Sequence, residues 1–338
     1  MQFTFLICSE RSGSNFITSL MNGHPQVSGP PPSHLFRLFG LNAHRYGALS
    51  EDQNWADFSR DFRDAFDAML GSWNSSPDWD TILAPSSPRS IALVLDAIYQ
   101  LEASTDAASQ AFVKENHTPS FWAFLNNHWP SCRLVHQVRD PRDVAASWQH
   151  TQGIPGGIEK AVDTWIADQS AALALADQIT PSDRLLCVRY EDLLMDTAGA
   201  ARLLCAHLGL DYDPCMLDFH GDDRTIRNAD RIDAWSNLNR PVMAGNVGGF
   251  EHKLSATDIR YIELRCAKLM QQFDYQPRSG LLPATEVARA ADAQALQAEL
   301  SPPQPYAVSS ASEAEIRQQR LAIIDRVLAR SAGAATAP

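Results

Sequence analysis

The sequence predicts a three-layer α/β/α fold in which a P-loop-like parallel β-sheet carries helices on both faces. Short apolar runs rich in β-branched and aromatic residues recur along the chain, and each run ends at a polar loop. Apolar residues at helical spacing follow each loop, so strands and helices alternate as they do in parallel sheets. With 338 residues, of which 45% are hydrophobic, the chain is long enough to bury a large core.

The first strand is predicted over residues 3–8, and a helix begins after the polar loop 9–15. Further strands are predicted over residues 111–114, 133–138 and 184–190. Helices are predicted over residues 51–70, 90–101, 120–129, 143–149, 159–179, 193–208 and 255–273. Three consecutive prolines exclude a helix in the loop 29–33. This stiff loop places His34 at the start of the next amphipathic stretch.

The compact domain is predicted to span residues 1–277, and residues 278–338 form a C-terminal extension rich in Ala, Gln and Pro. One helix is predicted in the extension, over residues 314–330, because only this part has amphipathic spacing. The last residues are predicted to be a frayed tail.

The charge balance limits the classes of partner. Forty acidic and 28 basic residues leave a net charge of −12, which disfavours nucleic acids and polyanionic acceptors and requires a local basic pocket for any anionic cofactor. The six cysteines have no metal-binding spacing, and the sequence has neither a signal peptide nor a long apolar run. These features predict a cytoplasmic protein with no membrane span and no metal.

The loop 9–15 has the properties of an anion-binding loop. It joins a strand to a helix N-terminus, and its residues are small or polar, so backbone N–H groups can approach a phosphate closely. Arg11 can reach the same anion. The sequence lacks the GxxxxGK[ST] pattern, which disfavours an ordinary ATP or GTP hydrolase. By itself the loop is equally compatible with a plain turn.

Further motifs in the same order resemble those of PAPS-dependent sulfotransferases, where PAPS is 3′-phosphoadenosine-5′-phosphosulfate. Residues 10–16 (ERSGSNF) resemble the 5′-phosphosulfate loop, and residues 138–147 (VRDPRDVAAS) resemble the 3′-phosphate motif. Residues 188–193 (VRYEDL) are similar to a later strand-end signature, and residues 254–275 resemble the closing helix of bacterial members. The resemblance covers residues 3–277 and implies the sulfotransferase fold.

The resemblance implies a role for each matching residue. Arg11 would face the bridging oxygen of the leaving phosphate, helped by the backbone of Ser12, Gly13, Ser14 and Asn15. Arg139 and Ser147 would hold the 3′-phosphate, and Phe16 and Tyr190 would contact the adenine. Both aromatic side chains are also compatible with core packing, and the residues alone leave this open.

A third cofactor element of the family is rich in basic residues and glycine. Here Gly248 and Gly249 match it, but the expected basic pair does not precede them. Four arginines are candidate substitutes that the sequence does not rank, and each is also compatible with an exposed surface position: Arg224, Arg227, Arg231 and Arg240.

An acceptor hydroxyl requires a general base, and histidine is suited to this role because it titrates near neutral pH. His34 lies where related enzymes carry a glutamate, after the proline loop, and is the first candidate. His117 matches another element of the family after a strand and is the second. Lys114 would assist the leaving oxygen, and Glu115 is a further candidate base.

The predicted function is transfer of the sulfuryl group of PAPS to a hydroxyl or amine of a small molecule, lipid or natural product, free or bound to a carrier. No metal is implied. Two alternatives use the same loop geometry: a kinase-like phosphotransferase and a non-catalytic nucleotide-binding module. The aromatic residues of region 55–79 either line an acceptor cleft or pack in the core. The oligomeric state is open, and a homodimer is compatible with the sequence.

Overall fold

The computed structural model describes residues 1–84, 88–151, 153–232, 235–308 and 310–330. Its centre is a five-stranded parallel sheet with the strand order β2-β3-β1-β4-β5. The strands are β1 (Gln2–Cys8), β2 (Val27–Ser28), β3 (Gln110–Lys114), β4 (Arg133–Val138) and β5 (Leu185–Arg189). The predicted fold class is confirmed. The edge strand β2 was not predicted, because two residues are too few to show a periodicity.

Helices cover both faces of the sheet. They are α1 (Ser14–Asn22), α2 (Leu35–Asn42), α3 (Asp52–Asp67), α4 (Trp79–Ile82), α5 (Ile91–Thr105), α6 (Trp122–His128), α7 (Pro141–Gln149), α8 (Gly157–Ala176), α9 (Tyr190–Met195), α10 (Thr197–Leu208), α11 (Asp223–Arg231), α12 (Phe250–Lys253), α13 (Ala256–Gln272), α14 (Glu286–Leu296) and α15 (Ala311–Ala329).

The alternation of side chains along β1 divides the core into two layers. Phe3 and Phe5 point towards α2, α3 and α5, and both side chains are fully buried there. Leu6 and Cys8 point to the other face, where α1 and α10 pack. A strand that is apolar on both faces is typical of a parallel sheet, because helices cover both sides.

The aromatic residues of region 55–79 pack in the core rather than in a cleft. Phe58 and Phe62 are fully buried, with ring centroids 5.4 Å apart. Phe66 and Trp73 form an edge-to-face pair with centroids 5.5 Å apart. Of the two alternatives that the sequence left open, the structure therefore shows core packing for these rings.

The structure differs from the sequence prediction in several elements. Tyr190 was predicted to end a strand but begins α9. The arginine-rich region after residue 222 contains α11, and the extension contains two helices, α14 and α15, instead of one. The helix α14 was missed because five of its 11 residues are alanine, which favours helix formation but gives no clear apolar stripe. The predicted frayed tail, residues 331–338, lies outside the described residues.

The last helix of the extension packs against the domain. Ile323 and Val327 of α15 are buried among the aromatic residues of the core. The carboxylate of Asp61 on α3 is fully buried and pairs with Arg326 Nε at 2.8 Å and with Arg330 Nε at 2.7 Å. Buried apolar contacts and a buried ion pair thus hold α15 in a defined position.

Within the described ranges, no helix is both long and apolar enough to cross a membrane. The six cysteines are free thiols, and Cys187 and Cys215 are exposed.

Candidate active site

A cavity of about 1000 Å³ opens at the carboxyl ends of the strands. Its walls come from the loop after β1, the end of β3, helix α7, the start of α9 and the loop before α2. The strand order reverses at β1, because β2 and β3 lie on one side of it and β4 and β5 on the other. Ligands of open parallel sheets bind at such a switch point, so this cavity is the candidate site.

The loop after β1 turns sharply at Arg11 and Gly13, whose φ angles are 62° and 85°. Helix α1 begins at Ser14, so the unpaired N–H groups of its first turn lie beside the cavity. Space also requires a glycine at position 13, since a Cβ there would lie 2.2 Å from Cε2 of Tyr190. The loop therefore presents a helix N-terminus, which favours a bound anion.

Two arginines from neighbouring strand ends meet at this loop. Arg11 Nε donates to Ser147 Oγ at 3.1 Å. Arg139 donates to the carbonyl oxygens of Arg11 at 3.0 Å and Asn246 at 2.9 Å, and its guanidinium lies 4.4 Å from the centroid of the Tyr190 ring. The backbone and an aromatic face thus hold Arg139 in place.

The positive charges of this pair are only partly balanced, by the nearby carboxylates of Glu10 and Asp143. Neither Arg11 nor Arg139 forms a salt bridge with a carboxylate of the described residues. Burial and the neighbouring Arg139 lower the pKa of Arg11 to about 10, so it stays protonated at neutral pH. A bound anion would relieve the repulsion between the two guanidinium groups.

Lys114 enters the cavity from the end of β3. Its Nζ donates to Asn15 Oδ1 at 2.7 Å, and burial lowers its pKa. Lys114 and Asn15 both line the cavity beside Arg11. Residues from β1, β3 and β4 therefore combine into one cationic wall.

His34 lines another part of the cavity, with a buried carboxylate behind it. His34 Nδ1 lies 3.5 Å from Glu115 Oε2, and the Glu115 side chain is fully buried. Ser33 Oγ donates to the other carboxylate oxygen of Glu115 at 3.2 Å. Burial lowers the pKa of His34, and Glu115 opposes this shift. The imidazole, whose pKa lies below its ordinary value, is therefore neutral at neutral pH, and the Glu115 carboxylate lies beside its Nδ1.

A family model described as "Sulfotransferase family" matches residues 4–214, more than half of the chain. The chain belongs to the sulfotransferase family. The family that the motifs of the phosphate loops predicted is confirmed.

Individual relatives of this sulfotransferase-family chain are distant. The nodulation protein NoeE of Sinorhizobium fredii is 24% identical over 246 residues, which are 65% of this chain and 52% of NoeE, so the chain spans about half of that relative. The sulfotransferase domain from the curacin biosynthetic pathway has a TM-score of 0.58 at 18% identity, with 83% of this chain and 99% of that domain covered. The sulfotransferase domain of the Synechococcus PCC 7002 olefin synthase has a TM-score of 0.58 at 20% identity, with 82% and 95% covered. Both structures show a shared fold.

Most of the predicted site residues of this sulfotransferase line the one cavity, although they lie far apart in sequence. They are Arg11, Gly13, Ser14, Asn15, Phe16, His34, Lys114, Arg139, Ser147 and Tyr190. Ser12 is buried instead, and its hydroxyl donates to the carbonyl of Ser9 at 2.7 Å inside the loop. The roles of these residues stay predictions.

The second candidate base lies elsewhere. His117 is not among the residues that line the cavity, and 44% of its side chain is exposed. Its Nδ1 lies 3.1 Å from Asp168 Oδ1 on α8. Although Lys114, Asn116 and His117 are close in sequence, the chain turns away from the cavity after Asn116, and His117 has a φ of 60° at this turn.

The two glycines of the predicted third element contact the protein itself. The N–H of Gly248 donates to Asp143 Oδ2 at 2.8 Å, and Asp143 Oδ1 accepts from Phe250 N–H at 2.9 Å. Neither Gly248 nor Gly249 lines the cavity, whereas the neighbouring Asn246 does.

The four arginines that were candidates to replace the missing basic pair lie in different places. Arg240 lines the cavity. Arg224 is buried in ion pairs with Glu102 at 2.6 Å and Asp106 at 2.8 Å, away from the cavity. Arg227 and Arg231 are exposed and do not line it.

The predicted adenine contacts lie at the end of the cavity that contains Arg139. Phe16 is edge-to-face with Phe219, with centroids 5.3 Å apart, and with Tyr190 at 6.3 Å. Both Phe16 and Tyr190 are mostly buried and still line the cavity. They therefore pack in the core and also expose an edge to the cavity.

Two parts of the site were missed by sequence reasoning. Glu115 was considered only as a base, although the structure places it as the partner of His34. The extension also reaches the cavity, through Tyr306, Arg317 and Arg320. The position of Glu115 directly after a strand could have indicated that it lies near the site, because the ends of neighbouring parallel strands meet there. Nothing in the sequence indicated where α15 packs.

Proposed function

We propose that this chain transfers the sulfuryl group of PAPS to a hydroxyl or amine of an acceptor. The observation that carries the proposal is the combination of two features in one cavity. One end presents Arg11 and Arg139 without a salt bridge to a carboxylate of the described residues, and the other presents His34 beside buried Glu115. A nucleotide with two anionic groups and a proton-donating acceptor are the ligands that such a pair of ends suits.

The residues fit the nucleotide. The Nε of Arg139 is buried and has no hydrogen-bond partner among the described residues, and an unpaired buried donor is costly unless a ligand satisfies it. Arg139 and Ser147 would hold the 3′-phosphate, since the planar guanidinium matches a phosphate with two parallel bonds. Arg11 and the backbone N–H groups of residues 12–15 would hold the 5′-phosphosulfate.

When bound, PAPS supplies an activated sulfuryl group: an acceptor would bond to its sulfur in line with the S–O bond that breaks, and the phosphate would leave as PAP. Negative charge then develops on the phosphate oxygen that leaves, as in the loose transition states of phosphoryl transfer. Arg11 and Lys114 line the same wall and would stabilise this charge, and their positions are already held by Ser147 and Asn15.

His34 is the proposed general base. The Glu115 carboxylate lies 3.5 Å from Nδ1, a position that favours a proton on Nδ1 and leaves Nε2 as the basic nitrogen that takes the proton of the acceptor. A pKa lowered by burial keeps the imidazole unprotonated at neutral pH, as a base requires. His117 is disfavoured because it does not line the cavity.

The acceptor is proposed to be a small molecule, lipid or natural product, free or attached to a carrier. Two structural neighbours are sulfotransferase domains of the curacin biosynthetic pathway and of an olefin synthase, which supports a biosynthetic acceptor.

Two measurements test the proposal. 3′-Phosphoadenosine-5′-phosphate (PAP) should raise the melting temperature of the protein, whereas ATP with magnesium should not. Sulfuryl transfer from labelled PAPS to a panel of alcohols and amines should then be detected by mass. Stabilisation by ATP with magnesium but not by PAP would contradict the proposal and favour a phosphotransferase.

A further inference from the structure

Three arginines line the cavity around His34, at the end remote from Arg139. Arg37 lies on α2, one helical turn after His34, and Arg317 and Arg320 come from α15 in the C-terminal extension. Arg320 donates to the carbonyl oxygens of Ala68 at 3.3 Å and Ser33 at 3.5 Å. The extension thus carries positive charge to the residues beside the proposed base.

Two of these charges have no carboxylate partner of their own. Glu313 accepts from Arg317 Nε at 2.9 Å and therefore neutralises Arg317. Arg37 and Arg320 form no salt bridge within the part of the chain that the structure describes, and the partners of Arg320 are neutral carbonyls. The nearby Glu115 already faces His34. Burial lowers the pKa of Arg320; the Glu115 charge opposes this shift, and Arg37 and Arg317 add to it.

This cluster lies beside the proposed base. His34 follows β2 at the edge of the sheet, whereas Arg139 follows β4, three strands away. Neighbouring strands lie ~4.8 Å apart, which puts the ends of β2 and β4 about 14 Å apart. Arg37 follows His34 on α2, and Arg320 donates to the carbonyl of Ser33, so both arginines are anchored next to His34 rather than at the end of β4.

Apolar side chains complete the same wall. Leu321 and Ile324 of α15 line the cavity, and so does Leu70 from the segment after α3. A ligand in this part of the cavity contacts an apolar surface and two unneutralised guanidinium groups at once. The protein as a whole carries a net charge of −12, so a long polyanion would be repelled outside the cavity.

We propose that the acceptor is a small amphipathic molecule that bears one anionic group, a carboxylate or a phosphate, in addition to the hydroxyl or amine that is sulfated. Arg37 and Arg320 bind the anionic group, and α15 supplies the apolar contact. This inference rests on the proposed function, because it assigns a ligand to the acceptor half of the same cavity.

The test measures binding to the PAP complex and to the protein without PAP, by calorimetry. The probes are matched pairs that share a phenol: phloretate and its methyl ester for a carboxylate, and tyrosol phosphate and tyrosol for a phosphate. At least one anionic probe should bind about 10- to 100-fold more tightly than its neutral partner, the range expected for a charge-assisted hydrogen bond. The pair with the larger ratio identifies the anion.

Substitutions test which residues cause the preference for the anionic probe. Arg37→Gln and Arg320→Gln should each reduce the ratio about tenfold or more, whereas Arg63→Gln, a control on α3 whose partner Asp80 is fully exposed, should not change it. Arg37→Lys, which keeps the charge, should retain part of the ratio.

Equal binding of anionic and neutral probes, or an unchanged ratio in Arg37→Gln and Arg320→Gln, would overturn the inference. The stabilisation by PAP is a separate measurement that neither substitution should alter. Absence of anion preference in the wild-type protein, with PAP binding intact, therefore rejects the inference alone, and failure of PAP to bind rejects the proposed function.

Discussion

Gly13 and Tyr190 are in such close contact that a methyl group on Gly13 would lie 2.2 Å from Cε2 of the ring. The guanidinium of Arg139 lies 4.4 Å from the centroid of the same ring. Tyr190 therefore contacts both the loop after β1 and the arginine after β4, and it fixes their distance from each other. Predictions about the nucleotide end follow from this contact.

Gly13→Ala should destabilise the protein by about 2–4 kcal/mol and abolish stabilisation by PAP. An alanine at a φ of 85° is strained, and its Cβ would displace Tyr190 from the loop. Urea unfolding and the melting shift with PAP measure the two effects. Gly245→Ala is the control, because nothing lies within 4 Å of a Cβ at that position. Unchanged PAP binding in Gly13→Ala would contradict the assignment of this loop.

Arg139→Lys should weaken PAP binding about 10- to 100-fold and change the binding of adenosine monophosphate little. Lysine keeps the charge but loses the planar donor pair and most of the stacking on Tyr190. Calorimetry with both nucleotides separates the effects, since only PAP carries the 3′-phosphate. An equal loss for both nucleotides would show that Arg139 does not recognise the 3′-phosphate.

His34→Ala should lower kcat about 10²- to 10⁴-fold, because the acceptor loses its base. His117→Ala should stay within about twofold of the wild type, since His117 does not line the cavity. Single-turnover transfer from PAPS measures both, and the melting shift with PAP should persist in both variants. If His117→Ala alone is inactive, the assignment of the base is reversed.

Glu115→Gln should move the acid limb of the kcat/KM profile to lower pH and reduce the plateau. The base acts when neutral, so activity rises with pH through the pKa of His34, which burial lowers. The Glu115 charge raises that pKa, and its loss lowers the pKa further. Arg37→Gln should have the opposite effect, because removing a nearby positive charge raises the pKa of His34. The acid limb of the profile should then move to higher pH. Shifts in the same direction for both variants would rule out this electrostatic explanation.

Asp61→Asn should destabilise the protein by about 1–3 kcal/mol and loosen α15. Asp61 is fully buried and pairs with Arg326 and Arg330, which are partly exposed, so the loss is smaller than for a fully buried pair. Limited proteolysis should cut the extension faster, while PAP still binds. Asp80→Asn, at an exposed ion pair, should change the stability little. An unchanged cleavage rate in Asp61→Asn would mean that other contacts hold α15.

The sequence alone predicted the elements whose signals are local. A buried strand followed by a polar loop and a helix is visible in the residue pattern, and the two phosphate motifs appear as short runs around Arg11 and Arg139. The strand 133–138 matches the structure at both ends, because its apolar run is bounded by polar residues. The fold class and the family followed from these patterns.

Only the tertiary structure decided which of the candidates share a cavity. His34 and His117 are both plausible bases in sequence, but only His34 lies in the cavity and faces Glu115, a residue 81 positions away. The sequence predicted a helix in the extension but not where this helix packs. In the structure α15 packs on α3, so that Arg320 reaches the cavity. Such pairings depend on how strands and helices pack at long range, and no local pattern of residues records that packing.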